Sequence, residues 1–229
     1  MRYDPNNVSS WGGFSPLIIT HDVGRSRDRS TAVVGGNAPY GRRMLGVGSA
    51  EELPQGLFGS ARAQALAAVD HRHNHNGLIV ADLSYDPTYG EILVETFGCR
   101  LIGLQIGRYG DGTEFETRVT KFGALLVYRV GRSFLFELLH SEFQSDQVRL
   151  GNDQNIRRAF DQLVRLEVEY KQGGVVYGCP SGEHDDLAIS LAMLAFAAKH
   201  PHSDHWVRNM KSTRRSRSAS PKFGWAAFT

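Results

Sequence analysis

The chain has 229 residues, 41% of them hydrophobic, which is enough for one well-filled core and short of a comfortable two-domain count. No run of about 18 apolar residues appears, and the polar stretch from Met1 to Ser10 lacks the regions of a secretory signal, so no membrane association and a cytoplasmic location are expected. The two cysteines, Cys99 and Cys179, make neither a disulfide framework nor a paired Cys-x-x-Cys metal site.

The net charge of +2 conceals an asymmetry. Arg208, Lys211, Arg214, Arg215, Arg217 and Lys222 all follow the last acid, Asp204, and without them 20 basic residues face 24 acids. A mildly acidic body with a basic, Ser-rich tail is expected: an extension over residues 1–15, a folded domain over 16–200 and a disordered tail over 201–229 that meets phosphate or an acidic partner. A solvated tail without a specific role is the plain alternative. In either case the segment after His205 is expected not to pack on the core.

Along the chain, Leu17 to Thr20 and Thr31 to Val34 read as antiparallel strands joined by the polar loop HDVGRSRDRS. A third strand is expected at Arg43 to Val47, then the loop EELPQGLFG and a helix over Ala61 to Val69. Next come a strand at Leu78 to Ala81, a helix at Tyr89 to Phe97 and a strand at Leu101 to Ile106. Such a succession marks an α/β fold with a mixed sheet flanked by helices. Ala124 to Val130 is strand-like, and Phe134 to Phe143 has apolar residues at helical spacing. Asp153 to Tyr170 reads as a helix running into an extended segment, with Gly173 to Tyr177 as a hairpin arm. The final element expected is DDLAISLAMLAFAAK, from Asp185 to Lys199. It is apolar on nearly all sides, preceded by a plausible cap at Ser181 and stopped by Pro201, so it predicts a buried helix. No GxxxxGK[ST] phosphate loop is present, which excludes a complete P-loop motor within this chain.

Four acids occupy positions that bear on chemistry. Asp22 ends the first apolar strand, Asp82 ends the strand GLIVAD, and Asp185 and Asp186 open the buried helix beside His184. Gathering carboxylates is costly because like charges raise one another's pKa, and a hard divalent cation removes that cost. Oxygen ligands suit Mg²⁺ or Mn²⁺, and two such ions about 3.5–4 Å apart can activate water and stabilise the leaving oxygen of a phosphodiester. Each acid also has an ordinary reading. Asp22 and Asp82 could terminate their strands in Asx-type turns, and acids in a helix's first turn complement its dipole. Neighbouring helix positions point about 100° apart, so Asp185 and Asp186 are not expected to serve one ion equally.

With these residues in view, the sequence resembles the nuclease domain of phage and prophage terminase large subunits, within the ribonuclease-H-like and resolvase superfamily. The resemblance lies in ITHDVGRSRDRSTAVVGG, GLIVADLSYDPTYGEILVETFG and GEHDDLAISLAMLAFA, and spans about Leu17 to Ala198. It implies a ribonuclease-H-like mixed sheet with a C-terminal auxiliary hairpin region and a buried last helix. It further implies an endonuclease that cleaves double-stranded DNA by two-metal hydrolysis with Mg²⁺ or Mn²⁺. Asp22, Asp82 and one or both of Asp185 and Asp186 would be the metal ligands, and His184 a neighbour orienting water or phosphate. By the same resemblance the protein would work in a bacterial host cell, with a terminase ATPase or small subunit and a portal or procapsid as partners. The sequence departs from the usual Asp-x-x-Gly-x-Gly after Asp82, where it reads DLSYDPTYG, and it lacks the ATPase half.

Other features carry less. His71, His73 and His75 alternate in DHRHNHNG, but as an exposed loop after a helix they read first as cations at a helix C-terminus. Arg25, Arg27 and Arg29 beside the expected site, and Arg214, Arg215 and Arg217 in the tail, are candidate contacts to a DNA backbone. A Holliday-junction resolvase, a ribonuclease H relative and a catalytically silent DNA or procapsid docking module stand as alternatives.

Overall fold

The computed structural model describes residues 4, 7–24, 29–39, 44–171, 174–180 and 183–218. In chain order the elements are β1 (Leu17–Asp22), β2 (Thr31–Asn37), β3 (Leu45–Glu52), α1 (Gly59–Arg72), β4 (Leu78–Asp82), α2 (Tyr89–Phe97), β5 (Leu101–Gly107), β6 (Asp111–Thr120), β7 (Gly123–Gly131), α3 (Arg132–Gln144), β8 (Val148–Leu150), α4 (Gln154–Val164), β9 (Glu167–Lys171), β10 (Gly174–Gly178), α5 (Asp186–Lys199) and α6 (Ser203–Ser218). The expected mixed sheet flanked by helices is present. Eight strands lie in the order β6-β7-β5-β4-β1-β2-β3-β8, and β9 and β10 form a separate antiparallel hairpin.

The centre of the sheet is buried on both faces, which is why its strands are nearly continuous apolar runs. Alternation then assigns each residue to a layer. Ile18, Leu78, Val80, Ile102 and Leu104 pack with α3, α4 and α5 on one face, and Ile19, Ile79, Ala81 and Leu101 pack with α1 and α2 on the other. From β1 the chain moves outward through the antiparallel strands β2 and β3, then crosses through α1 to β4 on the opposite side of β1, where it pairs parallel. The carboxyl ends of β1 and β4 are therefore a topological switch point, the place where open α/β sheets form a crevice.

Helix α5 fills the layer over β1 and β2, and every residue from Leu187 to Ala198 is buried. Its close approach requires glycine at Gly35, because a Cβ there would lie 2.6 Å from Leu194 Cδ2 and against the Gly46 carbonyl of β3.

The C-terminal segment departs from expectation. Residues 203–218 form α6, and the helix packs on the body because Trp206 and Met210, one helical turn apart, are both buried. The Trp206 indole N–H donates to Tyr128 Oη at 2.9 Å, and its ring stacks on His200 at 4.7 Å. Truncation after His205 would remove this anchor. The expected disordered tail is thus corrected over 203–218; residues 219–229, like the expected cap Ser181, lie outside the described residues. The N-terminal extension also packs: Trp11 is buried with Val8 and Ala38 beside β3.

Replacing Gly35 with alanine is expected to overpack the α5 layer and lower unfolding stability by roughly 1–3 kcal/mol. Urea denaturation of the wild type and Gly35→Ala checks this; an unchanged midpoint would show that the helix can move off the sheet at no cost.

Candidate active site

Asp22 and Asp82 follow directly on the last parallel pair between their strands, His21 with Ala81, so adjacent strand ends about 4.8 Å apart present them at one edge. Parity places both on the α5 face: Asp22 shares a side with Ile18 and Thr20, and Asp82 with Leu78 and Val80. His21, between them in phase, turns to the opposite layer, where its Nδ1 lies 2.9 Å from the Thr31 carbonyl and its Nε2 3.4 Å from Tyr89 Oη. Burial, opposed by the Thr31 carbonyl, lowers the His21 pKa to about 4.

Three hydroxyls fix the start of α5 over these strand ends. Thr31, the cross-strand partner of Asp22, donates to the Asp186 carbonyl at 3.0 Å. Its Oγ1 is also 2.7 Å from Ser190 Oγ. Thr20 donates to the Ser190 carbonyl at 2.8 Å. As a result Asp22, Asp82, Asp185 and Asp186 all line one cleft of about 1040 Å³.

The four acids are held differently. Asp82 Oδ1 accepts from the Ser84 amide at 2.9 Å and from the Ser84 hydroxyl, so the ordinary turn reading of Asp82 holds alongside its place in the cleft. At Asp22 the corresponding amide, that of Gly24, donates instead to Ser30 Oγ at 3.2 Å. Asp185 sits at the N-cap of α5 but makes no capping bond; its carboxylate is ion-paired with Arg132 at the start of α3. Asp186 occupies the first turn.

Electrostatics follows from this crowding. Burial pushes the Asp22 carboxyl well above the usual carboxylate range, and the charges of Asp82, Asp186 and Asp185 add to that, with Arg132 opposing. Burial also raises Asp82, against its Ser84 hydrogen bonds and Arg132. Burial and then the Asp185 charge push the nearby Cys179 thiol up to about 12.

Other expected site residues fall elsewhere. His184 lines a neighbouring pocket of about 500 Å³ with Arg165, Glu183 and Asp161, and Asp186 lines both that pocket and the acidic cleft. Successive side chains leading into α5 diverge, and His184 turns toward α4. Arg29 lines that same pocket and pairs with Glu52, which also takes Arg158 at 2.6 Å. Although burial works the other way, the hydrogen bonds and charges of Arg158 and Arg29 hold Glu52 below its ordinary range. Arg25 and Arg27 lie outside the described residues, and Arg214, Arg215 and Arg217 lie along α6, at the far end of α5 from the acids. Sequence reasoning missed Arg132 and Glu137 on α3, which also line the cleft. The apolar spacing that located α3 identified the helix without indicating which way its polar side faces.

The donor set suits a hard divalent cation, being all carboxylate oxygen from three separate elements. Its members are near enough for each to raise Asp22. Among the described residues, no three His, Cys, Asp or Glu side chains are gathered into a group that would hold a metal ion as they stand. His71 and His75 do approach each other, with Nδ1 and Nε2 2.9 Å apart, and His75 faces the buried Asp70.

The raised pKa of Asp22 has a defined sign: its protonated form is favoured by folding, so the stability it contributes is present below the ordinary carboxylate pKa and is lost as pH rises through the folded value. Without metal, Asp22→Asn is expected to raise the melting temperature at pH 7. A gain of about 1 kcal/mol corresponds to roughly 2–4 °C at this chain length. The gain should vanish below pH 4, where both side chains are neutral. Scanning calorimetry in chelator at both pH values checks this, and a melting temperature that falls at pH 7 would contradict the repulsion described.

No protein-family model matches the chain, and no curated protein matches it. Among solved structures, the large terminase nuclease from thermophilic phage G20c matches with 19% identity and a TM-score of 0.53, over 79% of this chain and 81% of that one. The same nuclease with bound magnesium matches with 19% identity and a TM-score of 0.55, over 84% and 82%. The large terminase nuclease domain of bacteriophage SPP1 with bound Mn matches with 13% identity and a TM-score of 0.50, over 85% and 93%. The chain therefore has the ribonuclease-H-like fold of phage large terminase nuclease domains.

Proposed function

We propose that this chain is a divalent-metal-dependent endonuclease that hydrolyses phosphodiester bonds of double-stranded DNA in viral genome packaging. One observation carries the reading: Asp22 and Asp82, at the carboxyl ends of adjacent parallel strands, share a cleft with the acids at the start of α5. The likeness to terminase nucleases with bound magnesium and Mn supports it.

Asp22, Asp82 and one or both of Asp185 and Asp186 would hold the cation. A divalent ion supplies neutralisation of the gathered charge, polarisation of a phosphodiester and activation of an attacking water. The protein's own contribution is position. The Thr20, Thr31 and Ser190 hydroxyls set α5, Ser84 orients Asp82, and the apolar packing behind the acids keeps bulk water from that side. A nucleic acid approaching the cleft is read through phosphate and sugar, so cleavage is expected to be largely independent of sequence. The arginines of α6 would add phosphate contacts, and the working partners would be a packaging ATPase or small subunit and a portal.

The test is cleavage of supercoiled plasmid, RNA–DNA hybrid and four-way junction by the full chain with Mn²⁺ or Mg²⁺ and in excess chelator. Plasmid cleavage is expected only with metal, and a loss of at least about 100-fold is expected in Asp22→Asn and Asp82→Asn. Cleavage that persists in chelator overturns the mechanism. Activity confined to hybrid or junction would redirect the reading to a ribonuclease H or a resolvase, and metal binding without any cleavage to a docking module.

A further inference from the structure

Arg132 opens α3 at the rim of the acidic cleft, and its guanidinium is committed in two directions. Nη2 donates to Asp185 Oδ2 in an ion pair, and Nε donates to the Tyr177 carbonyl of β10 at 3.4 Å. The guanidinium carbon lies 5.3 Å from the centre of the Phe136 ring, and the next residue, Ser133, donates to the Val175 carbonyl of the same hairpin strand. The pair is partly withdrawn from water: the Arg132 side chain is 35% exposed and that of Asp185 16%. Lys171, another cation lining the cleft, is instead paired with Glu169 at 2.6 Å. Arg132 is thus a fixed positive charge held by one of the acids that the nuclease reading assigns to a divalent ion. Its field extends further, opposing the upward shifts of both Asp22 and Asp82.

We propose that Arg132 is the exchangeable counter-cation of the cleft: it holds Asp185 when metal is absent and competes with a divalent ion for that carboxylate. The proposal rests on the nuclease reading above. A guanidinium and a divalent ion at one carboxylate repel each other and divide its charge, and linkage makes the cost symmetric: whatever the pair adds to the metal-free state is subtracted from metal affinity. Because Arg132 is also bonded to Tyr177, release of Asp185 leaves the guanidinium tethered at the cleft mouth by the hairpin. The opposite role, in which Arg132 preorganises Asp185 as a ligand, predicts the opposite sign.

Calorimetric titration of Mn²⁺ into the full-length wild type, Arg132→Gln and Arg132→Lys separates the two. In Arg132→Gln the Mn²⁺ Kd is expected to fall on the order of five- to tenfold, with Arg132→Lys closer to the wild type because the charge is kept. A Kd that is unchanged or higher in Arg132→Gln, with the wild type binding Mn²⁺, overturns this proposal and leaves the nuclease reading standing. A wild type that binds no Mn²⁺ overturns both. A second measurement needs no variant: the Arg132 Nη–Hη resonances of ¹⁵N-labelled wild type should move on saturation with Mg²⁺, and resonances that stay in place overturn the exchange.

Discussion

The cleft depends on how the start of α5 is held against the sheet. Thr31, the strand residue directly opposite Asp22, holds the Asp186 carbonyl, while Thr20 and Ser190 complete the stitch. Each bond adds only about 0.5–1.5 kcal/mol net, but an unmade bond among buried hydroxyls and carbonyls costs more than a made one gains. That asymmetry sets the helix in one position. With the first turn of α5 so placed, the gathering of four carboxylates follows from strand parity and from Gly35, which lets the helix lie close.

The arrangement is electrostatically unfavourable, and the fold tolerates it by distributing the charges among different supports. Among the described residues, Ser84 supports Asp82 and Arg132 supports Asp185, whereas only the field of Arg132 opposes burial and the acidic neighbours at Asp22. Hydrophobic packing behind Asp22, from Ile18 and Val80 to Leu187 and Leu191, supplies the rigidity that keeps the acids from separating.

Much of this was legible in the sequence because the central strands are short apolar runs that end in an acid. Helix α2 was expected at Tyr89 to Phe97 and lies there, and the apolar composition of α5 announced its burial. Strand β6 was not visible: it is an edge strand whose exposed residues, Glu114, Thr117 and Val119 among them, show no run of apolar character. β8 has only three residues. The buried turn of α6 was hidden because Trp206 and Met210 sit within a run dominated by cations. In the site, the acids could be found one strand at a time, but their supports could not. Thr20 and Ser190 are 170 residues apart, and Arg132 meets Asp185 across 53, so no local pattern connects them.

The phase of β1 has a consequence for insertions and deletions. His21 and Asp22 point into opposite layers, one toward Tyr89 and the other toward the cleft. Losing one of Ile18, Ile19 or Thr20, with the start of the strand still anchored, would turn the imidazole to the cleft face and push the acid into the apolar layer beneath α2. Changes of side-chain size along β1 and β4 should be absorbed one at a time, whereas changes of length should not. Natural variation in length around this site should therefore collect in the connecting loops, with the residue count of these two strands held constant.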